Sequence, residues 1–286
     1  MSEIVLVTKS QVTNHTNFQT MPRNEIPVDV LRDIMDYVDK ADLTILCRLN
    51  KICCSCSQDV LYRDISVKNL RASKVQQTLA QSAHLARRVH SFDSGYEDPD
   101  LAMALRNMTS LRILKLSFDM YMDILDGCTF KLDSFECRYV YDHDESFKRF
   151  LSSQPSLKYV TLPVYEGRTA STCPHNYSML SLEATCLPNL TRICARLPWI
   201  PCLIPGRPLN EVIVDGYTLY DLSIDLSFFA LSTTPIQKLT IDHSFLNPTP
   251  VNLLASFLPS LTHFTLKFWK RHTFTQNEGV CGLPLY

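Results

Sequence analysis

From residue 26 onward the apolar positions fall into a regular spacing. Val30, Leu31, Ile34, Met35 and Val38 recur at intervals of three and four, the spacing of one apolar face of an α-helix. Asp29, Arg32, Asp33 and Asp36 lie off that stripe. Asn24 is a candidate cap, and Pro27 suits the helix start, where its missing N–H costs nothing. Lys40-Ala41-Asp42 breaks the pattern, with Asp42 as the candidate N-cap of a second helix carrying Leu43, Leu46 and Leu49. A third helix takes Ile52, Cys53, Cys56, Val60 and Leu61. Three short helices in about 40 residues bury too little surface to be robust alone, so such a unit leans on a partner or on its neighbour in the chain. Residues 1–21 are polar and without periodicity, which predicts a flexible tail.

After "DVLYRDISV" the pattern changes to short segments of the form φ-x-x-φ-x-φ, where φ is apolar. They begin at Leu111, Leu132, Leu157, Leu190, Leu209, Ile236 and Leu261, with a weaker member at Val89. From Leu111 the starts advance by 21, 25, 33, 19, 27 and 25 residues, a spacing close to the roughly 20–29 residues of a leucine-rich repeat. Between them lie helical stretches: "DLAMALRNM" with Leu101, Leu105 and Met108, and "DESFKRFLSSQ" with Asp144 as cap and Phe147, Phe150 and Leu151 on one face. "VNLLASFL" is a third, with Val251, Leu254 and Leu258. Pro155, Pro188, Pro208, Pro235 and Pro259 stand just before strands, where proline ends a helix and favours extended backbone. The repeating unit is strand, turn, helix, proline, strand, which stacks into a parallel sheet with right-handed connections. Asp119, Val140, Tyr165, Tyr217, Ser244 and Trp269 occupy the places where regular repeats carry Asn or Cys, so the stack is expected to be irregular. The longest excursions are Pro163–Leu180 and the four-proline segment Arg196–Pro208, both read as loops.

Composition narrows the function. A net charge of −1, from 28 basic and 29 acidic residues, lacks the basic face of a nucleic-acid binder. The one basic-aromatic cluster, Lys267–His272, reads as a solvated strand end. No apolar run reaches the roughly 18 residues of a membrane span, and Met1–Gln11 lacks the parts of a signal peptide. A cytoplasmic or nuclear chain is expected, and its 11 cysteines are expected to be reduced thiols. The sequons at Asn14, Asn107, Asn176 and Asn189 are then without consequence. The seven glycines form no phosphate cradle and no nucleophile elbow. "YDHDES", Tyr141–Ser146, reads as an acidic helix start rather than a cation site. No metal, cofactor or catalytic constellation is expected.

"KICCSCSQ", Lys51–Gln58, is the densest cysteine cluster. A structural zinc site needs a second close pair, and Cys47, Cys128, Cys137, Cys173 and Cys186 do not supply one. Cys53 and Cys56 are expected to face inward as small hydrophobes. Cys54 falls with Cys47 and Lys51 on the outer side and is the thiol most open to oxidation.

Taken together, Ile26-Pro27, Val30-Leu31, Ile34, Val38, Asp42-Leu43, Leu46, Leu49 and the closing "VLYRDI", Val60–Ile65, resemble the F-box. With the repeats that follow, the chain resembles the F-box/leucine-rich-repeat substrate receptors over nearly all its length past residue 22. The resemblance implies an α/β fold: a small three-helix F-box at 22–67, then an irregular leucine-rich-repeat-like solenoid with a parallel sheet and flanking helices at 68–286. It also implies a non-enzymatic substrate-recognition subunit of an SCF-type cullin–RING ubiquitin ligase. The F-box would bind the adaptor subunit, and through it the cullin and RING subunits, while the repeats bind a target protein. Carried over by position, the adaptor-facing residues are Ile26, Pro27, Val30, Leu31, Ile34, Leu43 and Leu46; taken singly, each fits a core role as well. No target-binding residues are identified, although Pro163–Leu180, Tyr217 and Trp269 are the places to look. The sequence departs from the family pattern at Ile26, where leucine is usual, and at Cys53, where Trp or Phe is usual. The alternative is a non-degradative repeat scaffold with a vestigial F-box. The ending "NEGVCGLPLY" has no cap-like helix, so further repeats or a frayed last unit are expected there.

Overall fold

The computed structural model describes residues 26–68, 72–120, 122–140, 145–162, 182–196, 199–215, 227–242 and 256–267. Several expectations lie outside them: the tail 1–21, Asn24, Asp142 to Asp144, the Pro163–Leu180 loop, Tyr217, Trp269 and the C-terminal "NEGVCGLPLY". So do Val251 and Leu254, and the basic-aromatic cluster beyond Lys267. The chain divides into two compact units between Ser57 and Gln58.

The first unit holds α1 (Val28–Met35), α2 (Lys40–Leu46) and the first half of α3 (Lys51–Arg63). Pro27 is the N-cap of α1, in extended backbone. The N-cap of α2 is Asp39, and Asp42, expected in that role, lies in the first turn instead. Asn50 begins α3: its Oδ1 accepts the Cys53 amide at 2.8 Å, satisfying one of the donors a helix start leaves unpaired. Met35, Leu43 and Cys56 are its buried apolar side chains, with the Ser57 hydroxyl donating to the Met35 sulfur at 3.7 Å.

In the second unit nine parallel strands lie side by side in sequence order. They are β1 (Asp64–Val67), β2 (Ser91–Ser94), β3 (Ile113–Met120), β4 (Ser134–Val140), β5 (Tyr159–Thr161), β6 (Arg192–Ala195), β7 (Glu211–Val214), β8 (Lys238–Asp242) and β9 (His263–Lys267). The repeat frame read from the sequence is the register of this sheet. The third frame position aligns as Ile113, Ser134, Tyr159, Arg192, Glu211, Lys238 and His263 across the ladder. The fourth aligns Phe92, Leu114, Phe135, Val160, Ile193, Val212 and Leu239, all buried, and ends at Phe264 in β9, which is 39% exposed. Alternation along a strand puts neighbouring positions on opposite faces, so the apolar fourth and sixth positions build the core while the third and fifth face the other way.

Just before the strands, one backbone carbonyl per unit accepts two amides of the next. His90 accepts from Arg112 and Ile113, Arg112 from Asp133 and Ser134, Asp133 from Lys158 and Tyr159, and the pattern continues to Gln237 with Thr262 and His263. This ladder uses main-chain atoms only, so it tolerates unequal insertions between strands.

The covered face carries α4 (Ala72–Gln81), α5 (Ala83–Ala86), α6 (Leu101–Asn107), α7 (Glu145–Ser152) and α8 (Ile200–Leu203). Leu101, Leu105 and Met108 are fully buried, as are Phe147 and Leu151, with Phe150 nearly so. Phe150 meets Phe135 edge-on at 5.1 Å, and Phe147 meets Trp199 at 5.7 Å, a favoured aromatic geometry. The amide of Asn107, one of the sequon residues, donates to the Leu79 and Ala80 carbonyls and ties α6 to α4.

Three expectations change. The closing "VLYRDI" runs into β1, and Val67, Tyr62 and Ile65 join the sheet's core; the unit boundary therefore falls inside α3 rather than at 67. The four-proline segment contains α8, with Pro201 in its first turn, where proline is tolerated. Helices α4 and α5 were not foreseen. The result is an α/β fold with a nine-stranded parallel sheet.

Candidate docking surface

The first unit exposes apolar side chains out of proportion to its size. Eight large hydrophobics are exposed there: Ile26, Val28, Val30, Ile34, Tyr37, Ile45, Leu49 and Ile52, against five in the longer described part of the second unit. A contiguous apolar surface on a small helical unit marks an interaction site. The α1 stripe splits by depth. Met35 is buried and Leu31 and Val38 are half-buried, whereas Val30 and Ile34, four residues apart on one helix face, are exposed at 45% and 47%. Ile26, one further step of four back, is 58% exposed, and Pro27 beside it is exposed too.

Of the seven residues named from sequence, Ile26, Pro27, Val30 and Ile34 are exposed, and Val30 and Ile34 share one face of α1. Leu31 and Leu46 are half-buried. Leu43 is 0% exposed; it is core, and its place in the set is corrected on that ground. Tyr37, Ile45, Leu49 and Ile52 are exposed apolar residues the sequence reading did not assign to a docking role. Tyr37 and Ile45 sit outside the stripes read from the sequence, whereas Leu49 and Ile52 belong to its apolar faces.

The cysteine cluster sits at the α2–α3 junction. Cys56 is buried as expected, while Cys53 is half-buried, as are Cys47 and Cys54. Cys47 lies at the end of α2 with its sulfur 4.0 Å from the Cys54 carbonyl oxygen. Burial first, and then the neighbouring Cys54, push the Cys47 thiol up from its ordinary value, against a lowering by the Ser57 hydroxyl.

Among the described residues, a second surface is the face of the sheet opposite the helices. Most of its third and fifth frame positions are polar, with Ile113, Cys194 and Ile213 as apolar members, and several pair across strands. Lys115 reaches Glu136 at 2.6 Å, Arg192 reaches Glu211 at 3.2 Å, and Lys68 reaches Asp93 at 3.3 Å. The Arg192 guanidinium also stacks over Tyr159 at 4.8 Å, and the Thr161 hydroxyl donates to the Tyr159 oxygen at 2.7 Å. The hydrogen bond to Glu136 holds the Lys115 ammonium above its ordinary pKa, against desolvation. These pairs neutralise part of the charge on that face.

Among the described residues no three His, Cys, Asp or Glu side chains gather so as to hold a metal ion. No helix among them is long and apolar enough to cross a membrane. No protein-family model and no curated protein matches the chain.

Proposed function

We propose that the chain is a non-enzymatic substrate-recognition subunit of an SCF-type cullin–RING ubiquitin ligase. The first unit acts as the F-box and docks on the adaptor subunit through Ile26, Pro27, Val30 and Ile34, with Leu31 and Leu46 at the margin. The second unit acts as an irregular leucine-rich-repeat-like solenoid and holds the target protein on the sheet face opposite the helices. Ubiquitin transfer belongs to the other subunits. The observation that carries the reading is the exposure of Ile26, Val30 and Ile34 on a unit whose buried apolar side chains, among the described residues, are Met35, Leu43 and Cys56. So small a core with so open an apolar face is stabilised by covering that face.

Half-buried Cys53, in the place of the family's aromatic, favours a second reading: a repeat scaffold whose F-box no longer recruits a ligase. Affinity purification with mass spectrometry, with and without proteasome inhibition, separates the two. The receptor reading expects the adaptor and cullin subunits to copurify, and a target that accumulates when the proteasome is blocked. Copurification of a target whose abundance ignores the proteasome, with no adaptor present, favours the scaffold and rejects the receptor.

A further inference from the structure

The turn between α2 and α3 brings the Cys47 thiol against Cys54, in contact with its carbonyl and with its side chain. Cys47 closes α2, its amide bonded to the Leu43 carbonyl, and Arg48 and Leu49 continue the turn with bonds to Ile45 and Leu46. Asn50 then caps α3 through the Cys53 amide, and the Cys54 amide bonds to the Asn50 carbonyl. This places the Cys47 sulfur 4.0 Å from the Cys54 carbonyl oxygen, across seven positions of chain. Both side chains are half-buried, so each keeps a path to solvent, whereas Cys56 on the same helix is sealed in the core.

We propose that Cys47 and Cys54 form a dithiol site that a low-molecular-weight disulfide, such as oxidised glutathione, converts to an intramolecular Cys47–Cys54 disulfide. The Cys54 thiolate attacks one sulfur of the reagent and expels one glutathione thiolate, leaving a mixed disulfide on Cys54. The Cys47 sulfur then attacks that bond at Cys54 and expels the second glutathione. The protein loses two electrons and two thiol protons, and one small disulfide becomes two thiols. Burial and the neighbouring Cys54 raise the Cys47 thiol above its ordinary value, which suits it to the resolving step. The bond would tie the end of α2 to the first turn of α3, next to exposed Ile45, Leu49 and Ile52.

The site is tested on the full chain alone, so its outcome is independent of any ligase partner. The protein is equilibrated against glutathione buffers from reducing to oxidising, free thiols are alkylated, and tryptic peptides are mapped without reduction. Cleavage after Arg48 and Lys51 separates the two cysteines. The disulfide then appears as one species joining Ala41–Arg48 to Ile52–Arg63, about 2 Da lighter than the two peptides together when both carry the same alkyl groups on Cys53 and Cys56 but free thiols at Cys47 and Cys54. That species is expected in the wild type and in Cys53→Ser, and is expected to vanish in Cys47→Ser and in Cys54→Ser. Its absence from the wild type at every glutathione ratio overturns the site, as does its survival in Cys54→Ser or its loss in Cys53→Ser.

Discussion

Arg207 carries its charge into the interior of the second unit, fully buried, and its hydrogen bonds among the described residues go to backbone carbonyls. Nε donates to the Cys186 carbonyl, Nη1 to those of Cys202 and Pro205, and Nη2 to that of Glu183, at 2.8 to 3.1 Å. Burial lowers its pKa, while the planar fork donates to four backbone carbonyls, one of which, Glu183, also accepts the Cys186 amide. Arg207→Met is therefore expected to cost about 3–5 kcal/mol in urea unfolding. Arg207→Lys should recover only part of this, because a point charge cannot span the fork. The buried thiols make a second prediction at this scale. Burial holds Cys194 up to about 11 and Cys128 up to about 12, and pushes Cys137 higher still. An unfolded chain would release these protons above the ordinary thiol pKa, so their contribution is complete below about pH 9 and is lost as pH rises through the folded values. Unfolding free energy should fall between about pH 9 and 11, by up to roughly 1.4 kcal/mol per pH unit per thiol. Cys194→Ala and Cys137→Ala should each flatten that slope. An unchanged slope would contradict the assignment.

At the scale of elements, the φ-x-x-φ-x-φ frame placed β3 to β9 in their register, because burial on one face of a parallel sheet forces the same two positions inward in every strand. It missed β1 although Tyr62, Ile65 and Val67 fit the frame, since the same letters also close the F-box pattern. It missed α8 because proline reads as a breaker, yet Pro201 stands in the first turn. In α1 the spacing gave one apolar stripe, and the packing divided it. Only depth separates Met35 from Ile34, and a pattern of residue types does not carry depth. The cysteines show the same limit: Cys56 packs inward, while Cys53 stays half-buried. The turn before β7 gives a sharp test. Gly206 has φ +75°, and a Cβ there would stand 2.6 Å from the Ala184 Cβ and 3.1 Å from its Cα. Gly206→Ala should destabilise the second unit by roughly 1–3 kcal/mol. Ala184→Gly should relieve part of that cost in the double variant, because it removes the nearest atom.

At the scale of the molecule, the two units predict separable responses. Leu43 is core to the first unit, so Leu43→Ala is expected to cost about 2–5 kcal/mol, enough to open that unit while the sheet stays folded. Hydrogen exchange should then show lost protection in 28–57 and unchanged protection in the strands. Val30 and Ile34 are exposed, so Val30→Asp with Ile34→Asp should leave stability within about 1 kcal/mol of the wild type. The most direct test of docking uses that contrast: calorimetric titration of the purified ligase adaptor subunit into the full chain and into this double variant. The wild type is expected to bind saturably, one to one. The variant, equally folded, is expected to bind at least about 30-fold more weakly, the roughly 2 kcal/mol of a central contact residue. A wild-type chain that does not bind the adaptor, or a variant that binds it equally well, would contradict the account.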